Sequence, residues 1–99
     1  MSKNDLDNLD FLRKFKKKPH YTQRDLAREL NLSLGKVNYC VRELKKRGLI
    51  KIKNFKNNPN KAGYLYILTQ KGIVEKIKLT VDFMKAKIKE YEELKKELD

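Results

Sequence analysis

The feature that most constrains the fold is the spacing of apolar and small residues between positions 26 and 40. The residues that set this spacing are Leu26, Ala27, Leu30, Asn31, Leu32, Val37 and Cys40. The pattern predicts two short helices that cross closely, because the small side chain of Ala27 leaves room for the second helix. Asn31 stands where the chain must turn, and Asn tolerates the left-handed conformation better than most residues. The stretch therefore predicts two helices joined by a tight turn.

Capping signals predict where these two helices begin and end. Thr22 followed by Asp25 makes a capping-box-like start for the first of them. Ser33 is placed to cap the second, and Gly48 is placed to end it in a left-handed conformation. The apolar face predicted for this second helix consists of Val37, Cys40, Val41 and Leu44.

A further helix is predicted before this pair, and a hairpin after it. Apolar residues recur at helical spacing from Leu6 to Phe15, and Pro19 ends the run. From Leu49 the period changes, because Ile50 and Ile52 alternate with lysines. A second extended run covers residues 64–68, and a polar stretch from 56 to 63 separates the two. This pattern predicts a β-hairpin with a long, basic, Asn-rich tip.

The chain from Thr69 onward predicts one long helix with a narrow apolar seam. We call the following residues the seam: Ile77, Val81, Met84, Ile88, Tyr91, Leu94 and Leu98. Their spacing is close to that of a coiled coil, so we expect two chains to pair here as a homodimer. The alternative is that the seam packs back on its own domain. Basic residues at 85, 87 and 89 precede acidic ones at 90, 92 and 93, which favours antiparallel pairing.

The order of these elements predicts a mainly α chain with a small β-hairpin, of class α+β. Helix, helix, short turn, helix and hairpin is the order of a winged helix-turn-helix, here followed by a long C-terminal dimerisation helix. We therefore expect a DNA-binding domain at residues 1–68 and a dimerisation helix at 69–99.

The net charge of +12 points to a polyanionic partner. Sixteen basic and three acidic residues lie between positions 11 and 68, so the positive charge belongs to the middle of the chain. Such a block attracts phosphates, whose neutralisation releases condensed counterions. A merely solubilising surface is the alternative for the charge alone.

The residues expected to contact duplex DNA lie on the predicted third helix, at the helix starts and on the hairpin. On the third helix the outward residues are Gly35, Lys36, Asn38, Tyr39 and Arg42. Thr22, Gln23, Arg24 and Ser33 stand at the starts of the second and third helices, and the hairpin adds Lys53, Lys56, Asn57, Asn58, Asn60 and Lys61. Asn and Arg can read adenine and guanine edges, whereas the hairpin suits the phosphate backbone or a minor groove. The alternatives are a solvated helix face and a functionless turn.

Beyond this general pattern, a set of short motifs extends along the chain: Ser33 to Tyr39, Asn54 to Asn57, Gly63-Tyr64, Leu68-Thr69 with Gly72, and Glu90 to Glu92. In these residues the chain resembles MarR-type regulators, especially the short subfamily associated with extracellular polysaccharide biosynthesis loci. The resemblance covers roughly residues 20 to 95 and implies a homodimeric DNA-binding transcription regulator of prokaryotic type.

The chain departs from the MarR pattern in two ways. The usual Asp and Arg pair of the wing is absent, with residues 58–61 in its place, so the wing contacts cannot be carried over. The chain is also shorter than typical members, whose extra helices border a small-ligand pocket, which makes a small-molecule effector doubtful.

Other function classes find little support in the sequence. His20 is the only histidine, and no spacing of Cys or carboxylates suggests a triad or metal site, so we expect no enzyme, cofactor or metal. Cys40 is expected to fill the core rather than to sense oxidants. No apolar run or signal region is present, so we expect a cytoplasmic protein without a membrane partner. The alternative function is a winged-helix module that binds a protein or structured RNA; the polar, basic third helix favours DNA.

Overall fold

The computed structural model describes residues 1–54 and 64–98, which form four helices and one two-stranded sheet. The elements in chain order are α1 (Lys3–Lys17), α2 (Gln23–Leu30), α3 (Leu34–Lys46), β1 (Ile50–Asn54), β2 (Tyr64–Leu68) and α4 (Gln70–Glu97). This order confirms the predicted fold class. The expected tip of the hairpin lies outside the described residues.

The helix ends are where the capping signals predict them. The Thr22 hydroxyl accepts a hydrogen bond from the Asp25 backbone N–H at 3.1 Å, and the Asp25 carboxylate accepts one from the Thr22 N–H at 3.0 Å. Ser33 caps α3 by accepting from the Lys36 N–H. Asn31 has a φ of 55° and Gly48 a φ of 75°, so both turns use the left-handed conformation.

The core lies where α1, α2, α3 and the hairpin meet. Its fully buried side chains include Phe11, Leu12, Phe15, Leu26, Val37, Val41, Leu44 and Leu49. The apolar face predicted for α3 is buried as expected, including Cys40. These residues fix the crossing of α2 and α3, so the surface that α3 presents is held by a packed interior.

The hairpin is anchored to the helices at its base. β1 and β2 are antiparallel, and Ile52 pairs with Tyr66. The Tyr66 ring lies 5.0 Å from the Phe15 ring, measured between centroids. The Tyr66 N–H also donates to the Pro19 carbonyl at 2.9 Å, which ties β2 to the loop between α1 and α2. The base of the wing is therefore fixed relative to the core.

The start of α4 packs closely against the backbone that joins α3 to β1. Leu49 O accepts a hydrogen bond from the Thr69 N–H at 3.0 Å, and the Thr69 hydroxyl donates to Gly48 O at 2.6 Å. Gly72, in the first turn of α4, lies directly against the Leu49 carbonyl, and a Cβ added there would be 2.0 Å from that oxygen. A side chain at position 72 would therefore prevent this approach.

The two sides of α4 have opposite environments. Gly72 and Leu79 are buried against the domain, and Phe83 packs partly against the core. Every residue of the seam is exposed, from 42% for Val81 to 87% for Leu98. The alternative that the seam packs back on its own domain is therefore wrong for the part of the chain that the structure describes. None of the described helices is long and apolar enough to span a membrane.

Candidate nucleic-acid interface

The outer face of α3 presents most of the side chains expected there. Gly35, Asn38, Tyr39 and Arg42 are exposed, and Tyr39 is 60% accessible. They lie opposite the buried face, because a helix with Val37 and Val41 in the core directs the residues about half a turn away toward solvent. The arrangement places one amide, one guanidinium and one phenol on a single convex surface.

Lys36 is placed differently from the expectation of an outward side chain. It is half-buried, and its Nζ lies 4.0 Å from Oδ2 of Asp7 on α1. The same Nζ lies 5.8 Å from the centre of the Tyr39 ring. The reason is that Lys36 stands on the side of α3 that faces α1, where it lines a cavity of about 150 Å³. Lys36 therefore flanks the outer face of α3 and does not stand at its centre.

The start of α2 lies beside α3 and extends its polar surface. The Asn38 Nδ2 donates a long hydrogen bond of 3.4 Å to Gln23 Oε1. Arg24 is exposed next to it, while Thr22 is half-buried in its capping role. The hydrogen bonds from Thr22 lower the pKa of the Asp25 carboxyl, so the capping box is anionic at neutral pH. Gln23 is thus the residue through which α2 contacts the outer face of α3.

The base of the wing adjoins the start of α2. A cavity of about 230 Å³ is lined by Tyr21, Thr22, Gln23, Tyr64 and Tyr66. Lys53 on β1 is exposed at the end of the described hairpin. The remaining wing candidates, Lys56, Asn57, Asn58, Asn60 and Lys61, lie outside the described residues. The structure therefore brings together α2, α3 and the wing base in one continuous surface.

Sequence reasoning missed three kinds of residue on this surface. Leu34, the first residue of α3, is 46% exposed, and Tyr64 on β2 is 50% exposed. Lys45 and Lys46 are exposed in the last turn of α3. Extending the helical period to the end of α3 would have found Lys46, because it lies opposite the buried stripe, but not Leu34, because Leu34 is in phase with Val37 and Val41. Tyr64 carried no signal, since strand residues are aromatic whether buried or not.

Cys40 lies in the core rather than on the interface. It is 5% exposed, and burial raises the pKa of its thiol. Within residues 1–54 and 64–98, no group of three or more His, Cys, Asp or Glu side chains is placed to hold a metal ion.

Comparison with known proteins identifies the fold. A family model described as winged helix-turn-helix DNA-binding matches residues 3–51, which cover α1 to the start of β1. The chain has a winged helix-turn-helix fold. A search of curated proteins by sequence gives no match. The winged helix and α4 together are also similar to solved structures of transcription regulators.

Three of these structures illustrate the likeness, and two of them are MarR family proteins. A MarR family transcription regulator has 24% identity and a TM-score of 0.69, over 87% of this chain and 55% of that one. MepR of Staphylococcus aureus in a DNA complex has 21% identity and a TM-score of 0.70, over 99% and 73%. The zinc-responsive ZitR of Lactococcus lactis has 22% identity and a TM-score of 0.64, over 95% and 60%. The chain thus spans little more than half of the first of these. At such identities the likeness concerns the fold.

Proposed function

We propose that this protein is a transcription regulator that binds duplex DNA in a sequence-dependent manner, with α3 in the major groove. The observation that carries this proposal is the exposed polar face of α3, which continues onto the start of α2. An α-helix fits the B-DNA major groove, and a winged helix-turn-helix presents its second helix of the pair for that purpose. The family-model match and the MepR–DNA complex support this use of the fold.

Asn38 and Arg42 are the side chains we assign to base edges. They lie four residues apart on α3, so they stand one above the other on the same exposed face. An amide can donate and accept toward adenine, and a guanidinium can donate twice toward guanine. Leu34 and Tyr39 flank them with apolar surface, which suits a thymine methyl group or a sugar.

Arg24 and Lys53 are the side chains we assign to the phosphate backbone. Each is exposed, one at the start of α2 and one on β1, and both of these elements pack against α3. Contacts to phosphate fix the orientation of a protein on DNA but read no sequence. The basic block between positions 11 and 68 supports the same assignment through long-range attraction.

We further propose that two copies pair through the seam of α4. The seam forms an apolar stripe along the side of α4 that faces away from the domain, and water would otherwise cover it. The charge pattern along residues 85–93 favours antiparallel pairing, because basic and acidic stretches then oppose each other. A two-fold dimer that enters successive major grooves places the two α3 helices about 34 to 36 Å apart.

The test of the groove assignment compares three alanine variants on a preferred duplex and on a scrambled duplex. Asn38→Ala and Arg42→Ala should each weaken binding to the preferred duplex by about 1 to 3 kcal/mol and leave the scrambled duplex nearly unchanged. Lys53→Ala should weaken both duplexes alike and lower the slope of affinity against salt.

The matched control for charge is Lys96→Ala. Lys96 is exposed in the last turn of α4, outside both the seam and residues 85–93, and its replacement removes the same charge. This variant should bind like the wild type on both duplexes. Equal losses of preferred and scrambled binding in Asn38→Ala and Arg42→Ala would contradict the placement of α3 in the major groove.

A further inference from the structure

A series of neighbouring side chains leads from the core to the outer face of α3. The Phe15 and Tyr66 rings pack against each other at 5.0 Å between centroids, and Tyr66 is 4% exposed. Gln23, at the start of α2, and Tyr66, on β2, line the same cavity. Gln23 Oε1 in turn accepts the hydrogen bond from Asn38 Nδ2. Gln23 is therefore the link between a buried aromatic pair and the exposed amide of Asn38.

The Gln23 amide lies between Asn38 and the buried ring of Tyr66. Its oxygen accepts from Asn38, which leaves its NH₂ group for the cavity that Gln23 shares with Tyr66. Gln23 is also the first residue of α2, directly after the capping-box residue Thr22, so its backbone is fixed. The position of Gln23 is thus determined by the start of α2, beside the hairpin base.

The contact leaves Asn38 with one defined set of free hydrogen-bonding groups. One N–H of its amide donates to Gln23, which leaves the other N–H and Oδ1 unoccupied by that bond. A free oxygen acceptor beside a free N–H donor is the pair that matches N6 and N7 of adenine. Rotating the amide by half a turn would direct Asn38 Oδ1 at Gln23 Oε1, where two acceptors would repel.

We propose that Gln23 is a positioning residue that orients the Asn38 carboxamide for recognition of adenine, so that base preference at one position depends on a side chain of α2. This inference rests on the proposed function, since it specifies how one base is read. Gln23 acts through Asn38 and does not itself contact the base. Fixing the amide before binding removes part of the entropic cost of ordering it on the DNA.

The experiment measures affinity for four duplexes that differ only at the base pair whose preference Asn38→Ala abolishes. The wild type should prefer adenine there. Gln23→Leu keeps the approximate size of the side chain but removes the oxygen that accepts from Asn38, so its adenine preference should fall about fivefold or more. Gln23→Glu keeps an oxygen acceptor for Asn38, so it should retain the adenine preference while binding all four duplexes more weakly through its negative charge.

A double-mutant cycle separates positioning from a direct contact. In the Asn38→Ala background, Gln23→Leu should cause no further change in base preference, because the group that Gln23 orients is gone. Thermal unfolding of each variant, without DNA, confirms that it is folded at the assay temperature. Gln23→Glu serves as the folded comparison if Gln23→Leu is destabilised.

The outcomes distinguish this inference from the proposed function. If the wild type binds all duplexes alike at every position, the proposed function is wrong. If the wild type discriminates but Gln23→Leu discriminates equally well, only the role of Gln23 is wrong. A preference for a base other than adenine, or a further loss of preference in the double variant, also contradicts the inference.

Discussion

Replacing Gly72 with alanine should destabilise the fold, although alanine is the better helix former. A Cβ at position 72 would lie 2.0 Å from Leu49 O and 3.0 Å from the carbonyl carbon. Real Cβ atoms essentially never approach closer than 3.0 Å, so α4 must move away from the Leu49 backbone by about 1 Å or more. Leu49 O cannot simply rotate away, because it accepts the Thr69 N–H.

The expected magnitude follows from two opposing contributions. Overpacking against backbone costs about 3 kcal/mol, the upper part of the usual range, because the group that must yield is not a flexible side chain. The helix propensity of alanine returns about 1 kcal/mol. The net loss of about 2 kcal/mol corresponds to a fall of about 10 °C in Tm for a domain of this size.

Gly35→Ala is the matched control, because it makes the same substitution in open space. Gly35 lies in the first turn of α3, and a Cβ there would meet nothing within 4 Å. This variant should gain up to about 1 kcal/mol from helix propensity. Circular dichroism melts measure the Tm of both variants, and all are recorded at one protein concentration because pairing of chains would make Tm depend on concentration. A Gly72→Ala protein that melts at or above the wild-type temperature would refute the reasoning.

Three further predictions concern Cys40 and the seam. Cys40→Ser should lower the free energy of unfolding by about 1 to 3 kcal/mol, because the buried hydroxyl needs a hydrogen-bond partner. Peroxide should leave DNA binding by the wild type unchanged. A loss of binding that a thiol reverses would overturn the assignment of Cys40 to the core. Burial raises the pKa of the Cys40 thiol in the folded protein. The stabilisation that is present below the ordinary thiol pKa should therefore be lost as the pH rises through the thiol pKa of the folded protein. Cys40→Ala should lessen this alkaline loss of stability in a series of melts at different pH. Ile88→Glu places a charge in the exposed seam and leaves the contact of Phe83 with the core in place. Sedimentation should therefore show a folded monomer for this variant and a dimer for the wild type. A wild type that is monomeric at micromolar concentration would contradict pairing through α4.

The parts of this fold that depend on neighbours in sequence could be predicted from the sequence. The ends of α2 and α3 follow from Thr22, Ser33 and Gly48, because capping involves residues within one turn. The buried face of α3 follows from its periodicity. These local rules fix most of the architecture, and they place Asn38 and Arg42 on the exposed side.

Features that depend on how separate elements approach could not be predicted. Lys36 faces α1 because of the way α1 crosses α3, and no spacing within α3 reveals this crossing. The Gln23–Asn38 hydrogen bond joins residues fifteen positions apart and depends on the angle between α2 and α3. The close approach of Gly72 to Leu49 likewise depends on where α4 returns to the domain. Sequence periodicity describes each element but not the distance between two of them.

Selection of binding sites by the wild-type protein from a random duplex pool tests the central claim most directly. Sequence-dependent recognition through paired α3 helices predicts an enriched palindrome whose half-sites are about one helical turn apart. In titrations of the enriched duplex, the logarithm of the association constant should fall linearly with the logarithm of the salt concentration. Recovery of unenriched sequences, bound equally well at every salt concentration, would contradict the claim that this winged helix reads DNA.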